Sequence, residues 1–218
     1  MFVAALFCSL IFAIVSRRAL DTTYGDARHG IWSAMVRSAL LRLRRAPFHP
    51  QNWRPNMILL GGDPEKRGYL LRLGSAIVQD RGLVTYFHLL RGEVLEHAEM
   101  RLALLDTYEE LFTERFPNVF YRVDIVDDIY RGTVAAAQSY GMGNFEANSV
   151  MLGWPRKPER SEGYVAMLRD LVQLDRSLLL VKHDELRDFG AQRDIHVWWG
   201  GLKGNGGLML LLAYLITA

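Results

Sequence analysis

The chain has 218 residues, half of them hydrophobic, and a formal net charge of +2 at pH 7. This length and composition allow one large domain or two small ones, and the single cysteine, Cys8, excludes an intrachain disulfide and a cysteine-based zinc cluster. The charge is uneven, because the stretch from Ser16 to Arg54 contains eight arginines and two aspartates, which gives +6. The rest of the chain is therefore acidic.

The first element is an apolar run, FVAALFCSLIFAIV, from Phe2 to Val15, and Arg17 and Arg18 follow it. It is shorter than the roughly 20 apolar residues of a full membrane span. A signal peptide would carry its basic residues before the apolar run. Arginines after the run are typical of a transmembrane helix that ends on the cytoplasmic side, and a buried core helix is the alternative. We predict the end of a transmembrane helix in residues 1–20, and a cell-membrane location with the bulk of the chain on the cytoplasmic side.

Residues 21–55 are predicted to form an amphipathic helix and a proline-rich linker. Over Ala27–Arg45 the hydrophobic side chains recur at helical spacing. Those on one half of the helix include Ile31, Trp32, Met35, Val36, Leu40 and Leu43. This face could lie on anionic lipid, pack against a partner helix or dock on its own domain, and periodicity does not separate the three. The helix is ended by Pro47, Pro50 and Pro55.

From residue 56 to residue 218 the pattern changes to alternating strands and helices. The predicted strands are Met57–Gly62, Leu83–Leu90, Asn118–Val126, Ser149–Trp154, Ser177–Lys182 and Ile195–Trp199. The predicted helices are Arg67–Arg81, Leu95–Phe116, Ile129–Tyr140, Gly163–Arg176 and one that begins at Gly207. Nearly continuous apolar strands between helices are typical of a parallel sheet covered on both faces. The predicted fold class is therefore α/β, an open and mainly parallel sheet with right-handed crossovers.

The segment GGLKGNGG, Gly200–Gly207, has the glycine content of a phosphate-binding loop. A Walker loop needs a lysine followed by serine or threonine after its last glycine. Here Leu208 and Met209 follow the last glycine, and Lys203 lies inside the loop. The dinucleotide pattern G-x-G-x-x-G is not completed either. We interpret the segment as a tight turn between a strand and a helix, in which glycine allows positive φ.

The sequence has neither of the catalytic motifs G-x-S-x-G and H-E-x-x-H. Asp127 and Asp128 follow a strand, on the ligand side of an open α/β sheet. Without a spaced partner we interpret them as a solvated loop rather than a metal site, and His183-Asp184-Glu185 as another polar loop. We predict a protein that is not an enzyme and holds no metal. The arginines lie beside an apolar run without a nucleic-acid motif, so we predict no nucleic-acid partner.

A ligand site is predicted at two glycine turns. Gly61, Gly62 and Asp63 end the first strand, and Gly141 and Gly143 open the approach to the fourth. Neighbouring strands at a switch point leave a crevice above their carboxyl ends. Glycines at that place would let backbone N–H groups approach a phosphate. These five residues are the candidates for a nucleotide site, and turns that use glycine only for their geometry are the alternative.

Three ordered segments resemble the cytosolic C-terminal domain of the cation–chloride cotransporters, a family of the amino acid–polyamine–organocation superfamily. They are NWRPNMILLGG (Asn52–Gly62), GMGNFEANSVMLGWP (Gly141–Pro155) and IHVWWGGLKGNGGLMLLLAYL (Ile195–Leu215). The sequence Tyr24-Gly25-Asp26 before the amphipathic helix adds to the resemblance. The third segment departs from the family at Asn205, where aspartate is usual, and at His196, where an acidic residue is frequent.

The resemblance implies a fold like that of universal stress proteins and a regulatory role in a secondary transporter that couples potassium or sodium to chloride. Residues 56–218 would be the first of two α/β halves, unable to transport ions alone and adjoining the membrane and the transmembrane domain. The amphipathic helix would pack in a homodimer, so its apolar face becomes the candidate interface. Some members bind adenine nucleotide in the first half, so ATP or ADP is a possible cofactor, and an adenine-nucleotide sensor is the alternative function.

Overall fold

The computed structural model describes residues 6–10, 27–47, 49, 53–79, 81–155, 161–190, 193–198 and 204–217. The chain divides into two compact units, Met1–Ala46 and Pro47–Ala218, and each is described by itself. Residues 6–10 are helical, but most of the segment predicted to end a transmembrane helix lies outside the described residues. Within the described ranges, none of the helices combines the length and the hydropathy that are needed to cross a bilayer.

The first unit contains helix α1, Ala27–Arg45, which has the bounds that the periodicity predicts. Its 19 residues include five arginines and no acidic residue. Three of the arginines, Arg42, Arg44 and Arg45, lie in the last turn. Cations at this position interact favourably with the partial negative charge of the carbonyl end of a helix.

The second unit is built from strands and helices in alternation. It begins with β1 (Asn56–Gly61), α2 (Gly68–Val78), β2 (Leu83–Arg91), α3 (Val94–Glu110) and β3 (Val119–Val126). It continues with α4 (Ile129–Ser139), the short strands β4 (Gly141–Met142) and β5 (Phe145–Glu146), β6 (Ser149–Gly153), α5 (Ser161–Gln173), β7 (Ser177–Val181) and α6 (Gly206–Thr217). Apart from β4, β5 and the last predicted strand, these elements agree with the prediction to within a few residues.

Five of the strands form one sheet in the order β3-β2-β1-β6-β7, and every neighbouring pair is parallel. The central strand β1 is buried on both faces, as a continuous apolar run predicts. Met57 and Leu59 pack in a cluster with side chains of α2, α3 and α6. Ile58 and Leu60 pack on the opposite face with side chains of α4 and α5. The open parallel α/β sheet with helices on both faces confirms the predicted fold class.

A wide helical turn, Leu111–Arg115, extends α3 toward β3. The N–H of Phe116 donates to the carbonyl of Leu111 at 3.0 Å, which is the five-residue spacing of a π-helical turn. No residue of α3 itself is fully buried. The wide turn brings Phe112 into the core, where its ring stacks on Tyr121 with 4.5 Å between the ring centroids.

The predicted strand at Ile195–Trp199 is wrong for the part that the structure describes. Residues 193–198 contain no strand, and the side chains of Ile195 and Trp198 are 44% and 85% exposed. A strand needs a neighbour that completes its ladder of hydrogen bonds, and an apolar run does not supply one. Trp199 and residues 200–203 lie outside the described residues.

Candidate functional site

The topology opens a crevice between β1 and β6. From β1 the chain continues through β2 and β3 on one side, and it then crosses to β6 and β7 on the other. At such a switch point the connections that follow two neighbouring strands leave toward opposite faces of the sheet, which creates a crevice at their carboxyl ends. A cavity of about 490 Å³ lies at this place.

The cavity has a floor, a mouth and two walls. The ends of β1, β2 and β6 form its floor, the loop from Gly62 to Arg67 borders its mouth, and α4 and α5 form its walls. Three of the predicted site residues, Gly61, Gly62 and Asp63, line it. These three residues therefore lie at the crevice that the strand order creates, and their role in nucleotide binding stays a prediction.

Gly61 is required by the close approach of a buried tyrosine. A Cβ atom at position 61 would collide with the hydroxyl oxygen of Tyr86, which belongs to the neighbouring strand β2. The Tyr86 hydroxyl donates a hydrogen bond to the carbonyl of Gly62 at 3.0 Å. Burial raises the pKa of Tyr86 far above its usual range, so the phenol remains a neutral donor beneath the crevice floor.

Asp63 is held as an anion at the mouth of the crevice. Its carboxylate accepts hydrogen bonds from the Tyr108 hydroxyl at 2.9 Å and from the N–H of Glu65 at 3.0 Å, and it pairs with the Lys66 ammonium at 3.2 Å. Partial burial alone would raise the pKa of Asp63, but these hydrogen bonds and the charge of Lys66 outweigh it and lower the pKa. Burial, followed by the same hydrogen bond, raises the pKa of Tyr108 to about 12.

Two tyrosines contribute aromatic surface to the crevice walls. Tyr130 of α4 and Tyr164 of α5 are in edge-to-face contact, with ring centroids 6.4 Å apart. The Tyr164 hydroxyl donates to the carbonyl of Gly153 at 3.2 Å. Burial raises the pKa of Tyr164 to about 12. The Tyr164 ring is therefore neutral and is held in the wall by its contact with the end of β6.

A buried histidine lies close to the same end of the sheet. His88 pairs with Gly61 in the register of β1 and β2, and its Nδ1 is 2.9 Å from the Tyr121 hydroxyl oxygen. Burial lowers the pKa of His88, and the charge of Asp63 opposes this effect only in part. The imidazole is therefore a neutral component of the core.

Gly141 and Gly143 lie at the other end of the sheet, so the prediction that they join Gly61 is wrong. They belong to the β4–β5 hairpin, in which both have positive φ, 110° and 59°. The hairpin immediately precedes β6, so it lies where that parallel strand begins, whereas the crevice lies where it ends. The glycines serve the turn geometry of a hairpin rather than the crevice.

Amide side chains close this amino end of the sheet. The Oδ1 of Asn148 accepts hydrogen bonds from the N–H of Asn56 at 3.1 Å and from the Ser149 hydroxyl at 2.9 Å. The Asn148 amide donates to the carbonyl of Arg54 at 2.6 Å. The Asn56 side chain donates to the carbonyl of Glu146, in the hairpin, at 3.0 Å. The start of β1 is thus tied to β6 and to the hairpin.

Two cations of the crevice, and the tyrosine that is hydrogen-bonded to one of them, were not predicted from the sequence. Lys66 and Arg67 line the cavity, and Arg67 Nη1 donates to the Tyr69 hydroxyl at 2.6 Å. The signal that could have found them is their position, since they follow within six residues of Gly61 at the carboxyl end of β1. The ring contacts that hold Tyr69 join residues far apart in the sequence and leave no local pattern.

The apolar face predicted on α1 is exposed within its own unit. Ile31, Trp32, Met35, Val36 and Leu43 are 42–63% exposed, and Leu40 is half-buried. The structure contains no partner chain, so the role of these six residues in an interface stays a prediction.

The polar loops after β3 and β7 have structural contacts. Asp128 caps α4, because its carboxylate accepts a hydrogen bond from the N–H of Arg131 at 2.9 Å. His183 Nε2 lies 2.7 Å from Asp188 Oδ1, and the Asp184 carboxylate accepts a hydrogen bond from the N–H of Leu186 at 2.9 Å. In the part of the chain that the structure describes, no group of three potential ligands could hold a metal ion.

These features define an open parallel α/β domain with a ligand-sized crevice at its switch point. The crystal structure of the cytoplasmic domain of a prokaryotic cation chloride cotransporter is similar to this chain, with a TM-score of 0.53 and 23% sequence identity. The match covers 76% of this chain and 62% of that chain, so this chain spans less than two thirds of its length. No protein-family model matches the sequence. At this identity the likeness supports the fold.

Proposed function

We propose that this chain is a non-enzymatic regulatory domain of a secondary transporter that resembles the cation–chloride cotransporters, on the cytosolic side of the cell membrane. The observation that carries the proposal is the similarity in fold to the cytoplasmic domain of such a transporter over 76% of the chain. The three sequence segments that resemble the same family support the proposal independently of the fold.

The chemistry of the crevice favours binding over catalysis. A general acid or base is most effective when its pKa lies near the working pH. The pKa of Asp63 is lowered, and that of Tyr164 is raised to about 12. Neither group changes protonation near neutral pH. Both are also engaged in hydrogen bonds that hold the walls and mouth of the crevice.

The regulatory role is tested by ion flux. In cells that express a transporter containing this chain, chloride-dependent uptake of potassium or sodium is compared before and after deletion of residues 27–218. We expect the deletion to change the uptake rate while the protein still reaches the membrane. An unchanged rate at equal surface expression would contradict the proposal, and uptake of both cations in turn identifies the coupled ion.

Self-association is proposed to use the apolar face of α1. The matched variants Ala39→Asp and Ala34→Asp place the same charge on one helix, and both positions are exposed. At 100° per residue, Ala39 lies amid Trp32, Met35 and Leu43, whereas Ala34 lies on the opposite side. In light scattering of the detergent-solubilised chain we expect the wild type and Ala34→Asp to be dimers and Ala39→Asp to dissociate. A monomeric wild type, or equal behaviour of the two variants, would remove this part of the proposal.

An adenine-nucleotide sensor is the second candidate, and the position of Gly61, Gly62 and Asp63 in the crevice favours it. Glycines at the carboxyl end of a strand leave room for a ligand close to the backbone. Titration calorimetry with ATP tests this function directly. If millimolar ATP gives no binding heat and no thermal shift, the sensor function is eliminated. The regulatory proposal would remain intact.

A further inference from the structure

The side chain of Arg67 lies across the floor of the crevice. A Cβ atom at Gly61 would be 3.4 Å from Arg67 Cγ, and one at Gly153 would be 2.5 Å from Arg67 Nη1. The side chain therefore extends from the end of β1 toward the end of β6. The glycine at position 153 leaves the space that the guanidinium occupies.

The guanidinium of Arg67 is hydrogen-bonded to a hydroxyl group. Its Nη1 donates to the Tyr69 hydroxyl at 2.6 Å, and among the described residues no ion pair of Arg67 with a carboxylate is found. Leu60, Leu89 and Leu152 also line the cavity. A cation beside apolar side chains is stabilised by a bound counter-charge, and a guanidinium forms strong, directional hydrogen bonds with an acid group.

The Tyr69 ring is fixed by the loop that follows β7. It stacks on His183 with 4.4 Å between the ring centroids and 6° between the planes. Asp188 Oδ1 lies 2.7 Å from His183 Nε2 and 2.6 Å from Arg72 Nη2. Tyr69 is 6% exposed. The hydroxyl that orients Arg67 is therefore held by contacts outside the cavity.

The charges of the described lining residues favour a ligand with a single negative charge. Lys66 and Arg67 contribute two positive charges, and Asp63, which is paired with Lys66 at 3.2 Å, contributes one negative charge. Among the lining residues that the structure describes, one positive charge is left over. A polyphosphate would bring several negative charges close to the Asp63 carboxylate, and like charges repel strongly where apolar walls lower the local dielectric constant.

The remainder of the cavity suits an organic group. A volume of about 490 Å³ is within the range of small-molecule sites, roughly 300–1,000 Å³, and is far larger than an inorganic anion needs. Tyr130 and Tyr164 offer ring surface on the walls. A flat apolar group can pack there while its acid group reaches Arg67.

We propose that the crevice binds an organic monoanion, a carboxylate or sulfonate on an aromatic or aliphatic body, with Arg67 receiving the acid group and Tyr69 positioning Arg67. The proposal rests on the geometry of the crevice and does not depend on the assignment to a transporter. It deepens the ligand-binding alternative by specifying an acid group with one charge in place of a nucleoside triphosphate.

Two fluorescent probes that share one ring system test the charge requirement. 1-Anilinonaphthalene-8-sulfonate has a single negative charge, and N-phenyl-1-naphthylamine is its uncharged counterpart. For Arg67→Met in the full chain we expect about tenfold weaker binding of the sulfonate and unchanged binding of the amine. Arg115→Met is the matched control, because the Arg67 guanidinium lies 6.0 Å from the centroid of the Tyr69 ring and the Arg115 guanidinium lies 5.9 Å from that of the Phe116 ring. Equal losses for the two probes, or no loss for either, would overturn the proposal.

A second variant separates positioning from folding. Tyr69→Phe retains the ring that stacks on His183 and removes only the hydroxyl that orients Arg67. We expect about threefold weaker binding of the sulfonate and no change for the amine. If sulfonate binding is unchanged, Tyr69 does not position Arg67, and that part of the proposal is wrong.

Competition distinguishes the class of ligand. Displacement of the bound sulfonate probe is measured with 1-naphthoate, a monoanionic carboxylate, and with ATP. We expect 1-naphthoate to displace the probe at lower concentration than ATP does. The reverse order would overturn the preference for a single charge and would favour the nucleotide sensor. Neither outcome affects the flux test of the regulatory role.

Discussion

The two ends of the parallel sheet carry glycines for different purposes. At the carboxyl end, Gly61 makes room for the Tyr86 hydroxyl below a cavity of about 490 Å³. At the amino end, Gly141 and Gly143 shape a hairpin, and hydrogen bonds of Asn148 tie the strands together. The carboxyl end opens into this cavity, whereas hydrogen-bonded amides join the strands at the amino end. The comparison shows that the role of a glycine turn depends on which end of a strand carries it.

The largest loss of stability is expected from removing the hydrogen bonds of Asn148 at the amino end of the sheet. Asn148→Ala removes the acceptor of the Asn56 N–H and the donor to the Arg54 carbonyl. An unsatisfied, partly buried polar group costs about 1–3 kcal/mol, so we expect a loss of about 3 kcal/mol in the free energy of unfolding. Urea denaturation measures the loss. Asn148→Asp, which retains an acceptor oxygen, should lose less, and an Ala variant as stable as wild type would show that the amide network does not close this end.

A smaller loss of stability is expected from filling the space under the crevice floor. Gly61→Ala places a methyl group against the Tyr86 hydroxyl, and overpacking of this kind costs about 1–3 kcal/mol. The neighbouring Gly62→Ala is the matched control, because nothing lies within 4 Å of a Cβ at that position. Adding Tyr86→Phe to Gly61→Ala removes the colliding oxygen and should restore part of the stability. Equal losses for the two single variants would contradict the role given to Tyr86.

The smallest effect is a dependence of stability on pH at the carboxyl end. The folded state lowers the pKa of His88 below its ordinary value of 6.5, so the unfolded chain binds the proton first as the pH falls. Stability contributed by neutral His88 is present above pH 6.5 and is lost as the pH falls toward the folded pKa. His88→Gln cannot titrate and can still hydrogen-bond to Tyr121. The unfolding midpoint should therefore change more between about pH 7.5 and about pH 5.5 in wild type than in His88→Gln. An equal change in the two proteins would contradict this contribution of His88.

The local patterns predicted most of the fold. The apolar run of β1 indicated a central strand because a strand buried on both faces needs apolar side chains at every position. The run at Ile195 is also mainly apolar, but whether a strand there finds a neighbour depends on the rest of the fold and is not encoded locally. The short β4–β5 hairpin was missed because its strands contain only two residues each, too few for a periodic pattern.

The crevice was predicted only in part. Gly61 ends strand β1 and Gly141 precedes strand β6, and in a parallel sheet these positions lie at opposite ends. Chain direction alone would have separated them. The contact of Tyr69 with His183 could not be predicted in this way, because it joins α2 to the loop after β7 and depends on the packing of non-local elements. The contact that positions the Arg67 side chain therefore became visible only in the folded structure.

The composition of α1 has a consequence for its response to ionic strength. Five arginines without an acidic residue repel one another when two copies of the helix approach, and dissolved salt screens this repulsion. Association of two copies would therefore strengthen as salt is added. Attraction of the same helix to anionic headgroups would weaken under the same treatment, so one salt titration distinguishes a protein partner from a lipid surface.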